Sequence, residues 1–154
     1  MTLGCSVWSS YAALVKSTHA YYWGNIRDQL HERHEKVKAA VRAPPGVDRT
    51  FHEGRLMADY EVQALIERLS TRGNESFLFE LGFMIREAAE RATRDADRAR
   101  RDVERSDDPD RSFHDGRACE DRFIVTLTEE QAESFGIPLE EVALDGLDPD
   151  RDIG

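Results

Sequence analysis

The chain has 154 residues, 34% of them charged and 40% hydrophobic, with a formal net charge of −10. That length makes one domain whose core buries about two-thirds of the unfolded surface. The acidic balance disfavours nucleic acid and anionic membranes as partners, because both are held through cationic contacts.

Arginine outnumbers lysine 18 to 3. This bias fits a salt-adapted host or a GC-rich genome, so the acidity describes the host before it describes a ligand. Cys5 and Cys119 are the only cysteines. They are far apart, have no metal-ligand spacing and do not suggest an oxidising compartment. No run approaches the ~20 apolar residues of a membrane span. "MTLGC" lacks the charged and apolar regions of a lipoprotein leader. The expected location is the cytoplasm.

The first predicted helix covers 7–42. Trp8, Tyr11, Val15, His19, Tyr22, Ile26, Leu30, Val37 and Val41 recur at helical steps and draw one apolar stripe. The stripe keeps its phase across Gly24, which favours one long helix, and Pro44-Pro45-Gly46 ends it. A second helix covers 50–72, with Thr50 and Glu53 as a capping box and Gly73 as its left-handed stop. A cap follows almost at once at Asn74 or Ser76, so helices two and three form an antiparallel hairpin.

Helix three covers 77–105, opening on the apolar run "FLFELGFMI" and closing on charge-laced turns. The polar stretch 106–121 reads as an acidic linker. "RFIVTLT" (122–128) has strand composition, "TEEQ" opens a short helix closing on Gly136, and "EVAL" (141–144) reads as a second strand. The residues from 148 onward read as a disordered tail. The sequence therefore divides into a helical domain (1–105), a linker (106–121), a strand-helix-strand element (122–147) and a tail (148–154). The fold expected is mainly α, a long N-terminal helix packed on an antiparallel helical hairpin, with a small C-terminal β-α-β element. No internal repeat is apparent.

Chemistry-bearing residues are few. His31 and His34 are spaced i,i+3, whereas paired zinc ligands on a helix sit at i,i+4. Asp28 and His31 have the Glu-x-x-His spacing of a di-iron bundle, but they point away from the apolar stripe and no second copy appears. No metal or cofactor is expected. His31 and His34 read as solvent-facing or partner-facing, and His19, at the stripe's centre, as a hydrogen-bonded core residue. No nucleophile with a neighbouring base, no Gly-rich phosphate loop and no carboxylate pair on an apolar wall is visible, which leans against an enzyme.

Two short stretches carry resemblances. Arg27, Asp28 and His34 resemble the ribonuclease signature of HEPN domains, which are small and all-helical. That resemblance implies these three residues as catalytic and RNA as substrate. "IVTLTEEQAESFGIPLEEVAL" is similar to the half-barrel of AbrB/MazE-type swapped hairpins. That resemblance implies an antitoxin-like or transcription-related regulator that exchanges strands between two chains.

The most informative feature is apolar excess on second helix faces. Phe79 and Phe83 point away from the Phe77-Leu81-Ile85 stripe, and Leu56, Met57 and Tyr60 point away from the Val62-Leu65-Leu69 stripe. Aromatic faces of this kind mark association surfaces. The expected function is a non-enzymatic helical interaction or assembly protein, a homo-oligomer, contacting protein through Leu56, Met57, Tyr60, Phe79 and Phe83.

Overall fold

The computed structural model describes residues 5–42, 49–70, 77–102 and 109–153, the side chains of residues 5–17 and 70 excepted. Four helices dominate: α1 (Cys5–Arg42), α2 (Arg49–Ser70), α3 (Phe77–Asp102) and α4 (Pro109–Ser134). A 3₁₀ turn (Leu139–Val142) and the one-turn α5 (Pro149–Asp152) complete the chain. The protein is mainly helical, and no strand occurs among the described residues. α1 runs unbroken through Gly24, as the constant phase of its apolar stripe predicts.

The helices run up, down, up, down. Asn25 meets Gln131 and Arg33 meets Glu120, which sets α1 antiparallel to α4. Arg100 meets Asp115, which sets α3 antiparallel to α4. α2 and α4 therefore run parallel, and among the described helices they contact each other most extensively. Glycine makes their approach possible. A methyl group at Gly54 would overlap the Phe113 carbonyl, and one at Gly116 would overlap the Phe51 carbonyl.

That reciprocity exposes an internal repeat, which corrects the expectation of none. Phe51-His52-Glu53-Gly54-Arg55 on α2 matches Phe113-His114-Asp115-Gly116-Arg117 on α4, and Asp59 matches Asp121. Each box opens its helix after a hairpin: α1–α2 is one half of the molecule and α3–α4 the other. The histidines repeat their geometry too, with Phe51–His52 ring centroids 5.7 Å apart and Phe113–His114 centroids 5.6 Å apart.

The predicted β-α-β element is not there. Residues 109–121, read as part of a linker, and residues 122–128, read as a strand, form one continuous helix, α4. Packing overrides local propensity here. Ile124, Val125, Leu127 and Thr128 are all buried, and the Thr128 hydroxyl donates to the Ile124 carbonyl at 2.7 Å, the back-bond that lets threonine sit inside a helix. With no strands to exchange, the swapped-hairpin likeness loses its physical basis. α4 does end where expected. Gly136 takes a left-handed φ of 65°, Ile137 N–H donates to the Ala132 carbonyl at 2.8 Å, and Gly136 N–H donates to the Glu133 carbonyl at 3.0 Å.

The C-terminal segment is also not a free tail. Val142, Leu144 and Ile153 are buried in the main core with Tyr22, Ile26, Leu30, Leu81 and Ile124. Gly82 on α3 lets the Val142 carbonyl approach its backbone directly.

Candidate functional site

Where α1, α2 and α4 meet, the core turns ionic. Glu120 is fully buried, and two guanidiniums grip it. Arg33 of α1 donates from Nε to Oε1 and from Nη2 to Oε2, the latter at 3.1 Å. Arg55 of α2 donates from Nε to Oε2 at 2.6 Å. Arg33 also lies 3.6 Å over the Phe123 ring. The second repeat arginine, Arg117, donates to Glu61 across the α4–α2 contact at 2.6 Å. The arginine of each box thus holds an acid on the opposite helix.

The paired repeat aspartates have no such partner. Asp59 is 1% exposed and neither of its oxygens accepts a hydrogen bond; Asp121 is 2% exposed and its Oδ2 accepts none. Burial pushes the Asp59 carboxyl up to about 7, with Glu120 adding to the rise against the opposing pull of Arg33 and Arg55. Burial likewise pushes Asp121 up to about 7; Arg117 opposes this, and Glu61, Glu120 and Asp59 reinforce it. His34 Nδ1 lies 3.7 Å from Asp59 Oδ2, beyond hydrogen-bond reach, and burial lowers the His34 pKa. The junction can therefore hold protons near neutrality inside a buried helix crossing.

His34 differs from its expected place. It is 5% exposed, with its ring 4.8 Å from that of Tyr60. The cause is the close α1–α2 contact, which covers the edge of the stripe. His31 and Asp28 lie on an exposed face with Arg27, which pairs with Asp28 at 3.6 Å. The structure brings Arg27, Asp28 and His31 to one cavity between α1 and α2, whereas His34 faces the interior. His19 is partly exposed, its Nε2 3.7 Å from Glu141 Oε2. Among the described residues, no three of His, Cys, Asp and Glu cluster as metal binding requires.

The outward apolar residues are in solvent. Phe79 and Phe83 are 49% and 48% exposed, and Met57 and Tyr60 on α2 are 46% and 50% exposed. Leu56 is partly buried beside them. No described helix is long and apolar enough to cross a membrane.

The buried acids Asp59, Glu120 and Asp121 were not singled out from the sequence. The signal that finds Asp59 and Asp121 is the duplicated Phe-His-acid-Gly-Arg box, which places an aspartate one helical turn past each arginine. No family model, curated protein or solved structure matches this chain.

Proposed function

We propose that this chain is a non-enzymatic helical interaction protein that assembles with protein, first with a second copy of itself, through the outward face of α3. The observation that supports it most is the pair Phe79 and Phe83, one helical turn apart and each about half in solvent. Fully burying a phenylalanine is worth about 1.5–3 kcal/mol, so two half-buried rings leave a similar amount to be gained by docking. Met57 and Tyr60 offer a second patch on α2. The ionic junction serves as the frame: it fixes the register of the helices and leaves their outer faces for contact.

Sedimentation velocity on a Phe79→Asp, Phe83→Asp variant tests this. A helical spectrum like the wild type's with a drop in sedimenting mass is the expected result. An unchanged mass at matched concentration would overturn the reading.

A further inference from the structure

The outer face of α3 carries more than its two aromatic rings. Leu78, Leu81, Ile85, Ala88, Ala92 and Ala96 are buried and fix the inner face. On the opposite side of the helical wheel the charges are sorted by sign along the axis. The first half, beside Phe79 and Phe83, holds Glu80, Glu87 and Glu90. The second half holds Arg91, Arg94, Arg98 and Arg101, all four exposed. Two charges of the opposite sign stand at the edges, and each is engaged within the chain. Arg86 pairs with Glu90 at 3.0 Å, and Asp97 pairs with Arg100 at 3.2 Å. Arg94 lies 3.9 Å from Glu90 across the midpoint. Glu87, Arg91 and Arg98 make no ion pair among the described residues.

This order is that of a self-complementary surface. A two-fold axis through the midpoint, between Glu90 and Arg91, lays α3 antiparallel on the α3 of a second copy. The acidic half of each then faces the arginine half of the other. Glu80 comes opposite Arg98 and Arg101 of the second copy, and Glu87 opposite its Arg91 and Arg94. Phe79 and Phe83 come under the second copy's Arg98 and Arg101, where guanidiniums and their stems cover aromatic faces. Every contact occurs twice, as a two-fold interface requires. Parallel pairing would set like charge on like. A polyanion suits only the arginine half, because the glutamates on the same line repel it.

Size sets the strength. α3 has 26 residues, so it is about 39 Å long and about 10 Å wide, and one face covers roughly 400 Å² per copy. A stable interface of standard size buries about 800 Å² per partner. The contact is therefore weak and reversible, and charge fixes its register.

We propose that α3 pairs antiparallel with the α3 of a second copy, the Phe79–Phe83 half of each docking on the arginine half of the other. This rests on the self-association proposed above and assigns the surface that the two rings dock against.

Two variants each reverse one half: Glu80→Lys with Glu87→Lys, and Arg91→Glu with Arg98→Glu. Sedimentation velocity in about 0.15 M salt, where a Debye length of about 8 Å mutes the difference in net charge, compares them with the wild type. Each should keep its helical spectrum and sediment as one chain where the wild type dimerises, a weakening of at least about tenfold. Mixing the two should restore the dimer, because the reversed half of one then faces the reversed half of the other. The fourfold variant, with both halves reversed, should dimerise by itself. A wild type that associates while either half-variant keeps its mass would overturn this pairing and leave self-association standing. A folded fourfold variant or mixture that stays monomeric would overturn the pairing as well. A wild type that remains one chain at every concentration would overturn both.

Discussion

Replacing the paired interior acids with amides should change how folding stability responds to pH. In the folded chain, Asp59 and Asp121 titrate at about 7, against 3.8 for an ordinary aspartate. Between those limits the folded state binds more protons than the unfolded state, so stability is greatest at the acid end and falls as pH rises through the folded value. For one such carboxyl, integrating from pH 5 to pH 8 gives a loss of about 2.5 kcal/mol. The two acids repel each other, and Glu120 repels both. Asn at either position imitates the neutral acid. The Asp59→Asn, Asp121→Asn variant should therefore keep a nearly flat profile over this range and exceed the wild type at pH 8 by roughly 2–5 kcal/mol. Urea denaturation followed by far-ultraviolet circular dichroism at each pH measures it. Glu129, also raised to about 7, adds a slope common to both proteins, and Glu129→Gln in both backgrounds removes it. Parallel wild-type and variant profiles would refute the reasoning, because they would mean the two carboxyls are ionised and hydrated in the folded chain.

Gly116→Ala, at a position where a side chain overlaps the Phe51 carbonyl, should force α2 and α4 apart and cost about 1–3 kcal/mol in chemical denaturation; a neutral result would contradict the close crossing. Glu120→Gln leaves Arg33 and Arg55 sharing a neutral partner and should cost about 3 kcal/mol, at the lower end for a buried pair because both guanidiniums reach solvent in part. Ile153→Ala should cost about 2 kcal/mol and raise amide exchange near Thr93, since Ile153 anchors the C-terminal segment on α3. No change in exchange there would place the segment off the bundle.

Much of the bundle is legible in the sequence because amphipathic periodicity is a direct consequence of packing. Tyr22, Ile26, Leu30 and Val37, read as a stripe, are all at 0–1% exposure. Helices one to three begin and end close to their predicted limits. In α4 two local signals outweigh the helical period. Its first half is rich in Asp, Gly and Ser, and its second half is β-branched, so the two halves read as linker and strand. Yet Glu120, Ile124, Leu127 and Thr128 recur at helical steps, and only their joint burial against α2 and α3 makes that period decisive. The junction acids were hidden for a related reason. A lone buried Asp looks like any surface Asp in a chain this charged, and only comparing two distant segments reveals that Asp59 and Asp121 occupy one repeated position. The outward placement of Phe79 and Phe83 follows from the helical wheel alone, because their neighbours Leu78, Leu81, Gly82 and Ile85 claim the inner face.

Light scattering on the purified full-length chain across a concentration series bears most directly on the association account. The expected result is a mass that rises above one 17.6 kDa chain with concentration. A mass that stays at a single chain up to high concentration, in low and molar salt alike, would contradict it.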